Sequence, residues 1–182
     1  MTPAPTPGPI RSRAGRRRRL WWTALAILLG ISWFGWNAVT YAASLRLFIV
    51  PSGSMAPTVV AGDRIFVETE RRSAPKRGEI WLFGVPGPAN HIKRVVGLPG
   101  DSIEVAGGRV LIDGRALDEP YLAGPMNYVV PPVRLKTGQY FMLGDNRNAS
   151  NDSHLSGPVP EDRLIGRVEF RPWPPGRIGA LK

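Results

Sequence analysis

Two serines set two apart in Pro51-Ser52-Gly53-Ser54-Met55 are the residues of this chain best placed for chemistry. A serine hydroxyl attacks a carbonyl when it sits on an exposed turn, a base takes its proton, and donors face the oxyanion that forms. Pro51 restricts the entry to such a turn, and Gly53 lets the backbone pass close to a substrate. Ser54 is then the candidate nucleophile, with its own backbone N–H and the Ser52 hydroxyl as candidate oxyanion donors. An ordinary Ser-Gly turn after a strand is the plainer reading of the same five residues. The base need not be histidine, since the chain has only His91 and His154. Absence of cysteine excludes thiol catalysis and disulfides and, with so few histidines, argues against a zinc site. Neither a metal nor another cofactor is expected.

Lysine is the alternative base. Lys93 lies in the run HIKRVVGLPGD, residues 91–101, which reads as a strand entering a tight turn. Period-two alternation puts His91, Lys93 and Val95 on one face and Ile92, Arg94 and Val96 on the other, so one of the two adjacent cations is expected to be buried. A free lysine is only ~0.1% neutral near pH 7.5, and burial against apolar groups raises that fraction. A solvated lysine on an edge strand is the common alternative. The third polar stretch is GDNRNASNDSHLSG, residues 144–157. Its Asp145, Arg147, Asp152 and three serines suit a hydrogen-bonded shell, with Ser150 placed to hold a lysine amine; a plain surface loop has the same composition.

The elements that must position these groups are short. Apolar and β-branched runs at 47–50, 64–68, 79–83, 91–97, 102–105, 109–112, 140–143 and 165–170 predict strands. SIEVAGGRVLIDG reads as a hairpin around Ala106-Gly107-Gly108, while 85–90 and 123–132 read as loops. The pattern predicts a mostly β domain of coiled or barrel-like antiparallel sheets over residues 46–182.

Ahead of it, residues 1–19 form a Pro- and Arg-rich tail expected to be disordered. Residues 20–45 carry no charge and as a helix reach ~39 Å, enough to cross a ~30 Å bilayer core with some tilt. Trp21, Trp22 and Tyr41 lie near the two ends, where amphipathic rings favour the interface. An uncleaved anchor is the preferred reading; a signal peptide cut near Tyr41-Ala42-Ala43-Ser44 is its rival. Six arginines precede the segment and Arg46 alone follows closely, which puts the N-terminus in the cytoplasm and the β domain outside it. All 14 acids follow Pro51, so the net charge of +10 belongs mainly to the tail, and nucleic acid is not an expected partner.

Taken together and in this order, the three polar blocks are specific. PSGSMAPT (51–58), HIKRVVGLPGD (91–101) and GDNRNASNDS (144–153) make the chain resemble the type I signal peptidases, membrane-bound Ser/Lys proteases that remove signal peptides from exported preproteins. Weaker agreement runs through GDRIFVE, RGEIWLF and LIGRVEFRPWP, out to Pro174. The resemblance implies the signal-peptidase type of catalytic domain behind one transmembrane helix in the cell (plasma or inner) membrane. It implies Ser54 as nucleophile, Lys93 as base, Ser52 in the oxyanion hole and Ser150 against the lysine amine. It also implies Asp145 paired with Arg94, Asp152 in the same structural shell, and small pockets for an Ala-x-Ala ending. Val50, Met55, Val59 and His91 flank the motifs and are expected to line those pockets. Membrane lipid is the other implied partner. Two departures stand out: His154 occupies a position where many relatives have arginine, and His91 one where many have tyrosine. A Ser-His mechanism is disfavoured, because His91 is displaced by two residues along the strand from Lys93. The rival readings are a dedicated processing peptidase of the pilin-maturing type, a non-catalytic anchored β domain that binds exported peptides, and a binder of nucleic acid or anionic lipid acting through the arginine tail.

Overall fold

The computed structural model describes residues 13–70 and 73–181, with side chains from Trp21 onward. Residues 1–12 of the basic tail lie outside the described residues. The chain divides into two units, Met1–Ala43 and Ser44–Lys182. The first contains most of helix α1 (Arg13–Ser44), which begins inside the stretch read as tail. Within it Trp21–Ser44, 24 residues, is long and apolar enough to cross a membrane.

The second unit is antiparallel β throughout its sheets. Its strands are β1 (Leu45–Ile49), β2 (Arg64–Glu68), β3 (Ile80–Gly84), β4 (Asn90–Gly97), β5 (Ser102–Ala106), β6 (Arg109–Ile112), β7 (Arg115–Ala116), β8 (Val130–Arg134) and β9 (Gln139–Leu143). After the one-turn helix α2 (Ser153–Ser156) come β10 (Val159–Pro160), β11 (Leu164–Trp173) and β12 (Gly179–Ala180). One sheet runs in the order β1-β2-β11-β3-β4-β9-β10 with β12 beside β11; the other runs β7-β6-β5-β8. The β5–β6 hairpin turns at Gly107 and Gly108 as expected, both with positive φ (59° and 75°) that glycine adopts without steric cost.

The first three residues of β8, 130–132, fall in the stretch 123–132 that the sequence suggested as a loop. Its Pro131 and Pro132 cannot donate to a ladder, yet β8 is the edge of its sheet, where proline is tolerated.

Three apolar clusters fill the unit, and β4 serves all of them: Ile92 packs in one, Val96 in the second, Val95 in the third. Held between β3 and β9, β4 is buried from Ile92 through Gly97. Lys93 and Arg94 are therefore both buried, at 3% and 1% exposure, where alternation alone suggested one.

Candidate active site

Ser52 and Ser54 sit in the loop between β1 and β2. Its base is closed by Val50 N–H to Asp63 O at 2.9 Å and Gly62 N–H to Val50 O at 2.8 Å. Met55 and Val59 are fully buried and anchor the loop in the core, so they do not line the cavity beside it, contrary to expectation. Arg171 donates to Thr58 O at 2.6 Å and Arg177 to Pro57 O at 2.9 Å, clamping the loop from the far end of the chain. Gly53 has open space where a Cβ would be, and its φ is not in the left-handed region, so nothing at that position demands glycine.

The Lys93 ammonium donates to Ser54 Oγ at 2.6 Å across 39 residues of sequence. Ser52 Oγ lies 3.4 Å from Ser54 Oγ. Burial pushes the Lys93 amine below its ordinary lysine range, and the charges of Asp152 and then Asp145 oppose that push. The arrangement is thus a hydroxyl hydrogen-bonded to an amine whose neutral form is favoured by burial, the requirement for lysine as a base.

Behind the pair stands a shell of paired charges. Arg94 forks onto Asp145, Nε to Oδ1 at 2.9 Å and Nη2 to Oδ2 at 2.6 Å, and donates to Gly78 O at 2.6 Å. Asp152 Oδ2 accepts the Gly144 N–H at 2.8 Å. The partner of Asp152 in place of an arginine is His154 itself, whose Nδ1 is 2.7 Å from Oδ1. Ser150 Oγ is buried with no hydrogen-bond partner; it does not bond to Lys93 in this structure. It presses instead on Gly144, where a Cβ would strike Ser150 Oγ and Ser54 O together. Asn146 completes the link, its N–H to Ser54 O at 3.1 Å and its amide to Gly53 O at 3.2 Å.

Residues 117–129 back this shell, which their sequence did not announce. Glu119 pairs with buried Arg147, Tyr121 lies over the Arg94 guanidinium at 3.9 Å, and Tyr128 stacks on His154. No local pattern marks these contacts, because each joins a loop to a residue on another element.

Facing solvent, a cavity of about 480 Å³ runs between β1 and β4. Val50, Ile65, Leu82 and Ile92 give it apolar walls, and Ser52, Ser54 and Lys93 open into it. Of the four residues expected in pockets, Val50 and His91 line it. His91 meets Phe83 edge-on with ring centroids 6.0 Å apart; its pKa is lowered by burial and by the charge of Lys93, with Asp152 opposing. Among the described residues no group of His, Asp and Glu is placed to hold a metal.

Comparison with known proteins covers these same parts. The model of the family described as signal peptidase, peptidase S26, matches residues 18–173. The chain is 42% identical over 159 residues to "Probable signal peptidase I-2" of Synechocystis sp., covering 80% of this chain and 73% of that one. To signal peptidase I of Leptolyngbya laminosa it is 39% identical over 171 residues, covering 85% and 84%. A crystal structure of a signal peptidase I from Enterococcus faecalis V583 is similar at 30% identity with a TM-score of 0.46, covering 52% of this chain and 97% of that one. A match that runs unbroken through the serine loop, β4 and the polar segment after β9 puts the chain in the signal peptidase family, peptidase S26, a family of serine peptidases.

Proposed function

We propose that the chain is a membrane-anchored serine endopeptidase that cuts N-terminal signal peptides from exported preproteins after Ala-x-Ala-like sites, with Ser54 and Lys93 as its catalytic dyad. The observation that carries this reading is the 2.6 Å contact between Lys93 Nζ and Ser54 Oγ on the wall of an apolar groove. An extended peptide lies between β1 and β4, small side chains entering the cavity lined by Val50, Ile92 and His91. Neutral Lys93 takes the hydroxyl proton as Ser54 Oγ bonds to the scissile carbonyl carbon. The Ser54 N–H and Ser52 hydroxyl donate to the oxyanion. Lys93 then gives its proton to the leaving amine as the C–N bond breaks. Water, deprotonated by the same amine, releases the acyl group and restores Ser54. The unpartnered Ser150 hydroxyl is available to hold the amine while its proton is away.

Anchoring is read from α1, whose span Trp21–Ser44 suits a bilayer, with the arginine-rich N-terminus on the cytoplasmic side. A second lipid contact is read from the β unit. Leu47, Phe66 and Phe170 are aligned across β1, β2 and β11, with Ile49, Arg64 and Trp173 in the next row. Leu47, Ile49, Phe170 and Trp173 are exposed, and the Arg64 guanidinium lies 5.6 Å from the Trp173 ring centre. An apolar face with a cation among its aromatics suits the lipid interface.

The test is cleavage of a preprotein whose signal ends in Ala-x-Ala, in detergent, by wild type, Ser54→Ala and Lys93→Ala. Wild type alone should cut, after the second Ala, with each variant slower by on the order of 10⁴-fold or more. A folded but inert wild type, or an active Lys93→Ala, overturns the reading.

A further inference from the structure

The serine loop is held at its start by Asn146 and on its inner side by the fully buried Met55 and Val59. Its far half is gripped by two cations from the other end of the chain. Arg171, on β11, donates Nη1 to Thr58 O at 2.6 Å. Arg177, in the turn between β11 and β12, donates Nη2 to Pro57 O at 2.9 Å and to Thr58 O at 3.2 Å. The two are tied together. Arg171 Nε donates to Arg177 O, and both guanidinium groups meet Asp63, at 3.4 Å to Oδ2 and 3.3 Å to Oδ1. Asp63 also closes the loop itself: its Oδ2 takes the Val60 N–H at 3.0 Å and its backbone O the Val50 N–H at 2.9 Å. The carboxylate is 1% exposed, a place where a charge persists only when paired. Leu181, just beyond Arg177, packs in the same apolar cluster as Met55 and Val59.

The loop carries that grip to its reacting end. Ala56 N–H donates to Gly53 O at 3.0 Å and Val59 N–H to Met55 O at 2.9 Å, so residues 53–59 form two overlapping turns. The Gly53 carbonyl and the Ser54 N–H belong to one planar peptide. Whatever holds Gly53 O therefore sets the direction of the N–H opposite it. Ala56 does so from the side of Pro57 and Thr58, the residues that the arginines hold.

We propose that Arg171 and Arg177, joined by Asp63, are positioning residues for Ser54: they fix Pro57 and Thr58, and through the two turns they aim the Ser54 N–H and keep its hydroxyl on Lys93. This role rests on the reading of Ser54 as nucleophile with its N–H as an oxyanion donor. Neither arginine lines the cavity beside Ser54, so neither touches a peptide held there. An oxyanion exists only once attack has begun, so the aim of its donor acts on the transition state and not on substrate binding. Loss of the grip should lower kcat and leave KM in place.

The experiment measures kcat and KM on a preprotein whose signal ends in Ala-x-Ala, for the full chain in detergent, well below each Tm. The proteins are wild type, Ser54→Ala, Arg177→Ala and Arg177→Lys. Arg177→Ala should lose on the order of 10- to 100-fold in kcat with KM within about twofold. The Arg177 side chain is 31% exposed, so a small cation can reach its place. Guanidinium chloride, at concentrations that leave Tm unchanged, should restore part of the lost kcat, and sodium chloride at the same concentrations should not. Arg177→Lys, which keeps the charge and a donor for one carbonyl, should fall between wild type and Arg177→Ala. Unchanged kcat in Arg177→Ala overturns the role. A loss that neither lysine nor guanidinium relieves, or one that lies in KM, marks a merely structural part and overturns it too. If Arg177→Ala does not fold, Arg177→Lys carries the test: a fall in kcat at constant KM is expected, and unchanged kcat is fatal. If neither folds, the arginine holds the fold and not the nucleophile. A folded but inert wild type, or an active Ser54→Ala, removes the underlying reading, whereas an active wild type with an unaltered Arg177→Ala removes only the role of the arginines.

Discussion

Lys93 occupies a strand buried on both faces, so the fold itself works against its charged form. Its folded-state pKa lies below the unfolded value. Well below the folded pKa both states carry the proton, and the native state bears the whole cost of burying it. As pH rises between the two values the unfolded chain binds more protons than the native one, so stability increases. Replacing the amine by an apolar group of similar length removes that cost. Lys93→Met should therefore raise Tm by a few degrees near pH 7, with the gain shrinking as pH approaches 10. Calorimetry across that range checks it, and a Tm that falls at pH 7 contradicts it. The residue types suited to this chemistry were legible in the chain, because a serine needs a base and the cysteine and histidine alternatives are absent or few. Whether Met55 and Val59 face a substrate or the core was not legible, because an apolar residue beside a motif suits both. They face the core.

At the scale of elements, the segment after β9 fixes the backbone position of Ser54. Gly144 accepts no Cβ without moving Ser54 O or Ser150 Oγ, although its φ is not in the left-handed region. It is thus a glycine required by close approach. Gly144→Ala should displace the Ser54 backbone, and a shift of about 1 Å costs on the order of 10²-fold in rate. The expected result is a fall in kcat of that size with the β signature of the circular dichroism spectrum retained; unchanged kcat would show the segment to be slack. Strands β2, β4, β5 and β6 follow their apolar runs closely because alternation is a local property. β8 was hidden by its prolines, which only an edge position tolerates, and edge or centre is a property of the assembled sheet.

For the whole molecule, the strands carrying the exposed apolar rows come from both ends of the β unit, since β11 lies beside β2. The fragment from Ser44 onward contains all three apolar clusters and suits a test without the helix. It should bind vesicles containing anionic lipid, and Trp173→Ala with Phe170→Ala should weaken that binding about tenfold or more in a sedimentation assay. Equal binding by the double variant would remove this face as a lipid contact.

The chain by itself determined an uncharged apolar segment after a basic tail, a run of short strands, and three polar blocks whose residue types belong to one kind of chemistry. These are local facts, set by side-chain polarity and by periods of two and 3.6 residues. Only the tertiary structure brought Lys93 within 2.6 Å of Ser54, put Tyr128 on His154, and aligned Leu47 with Phe66 and Phe170. Periodicity says which residues of a strand share a face. It does not say which strands become neighbours or which faces are covered, because that depends on how the whole apolar surface is buried at once.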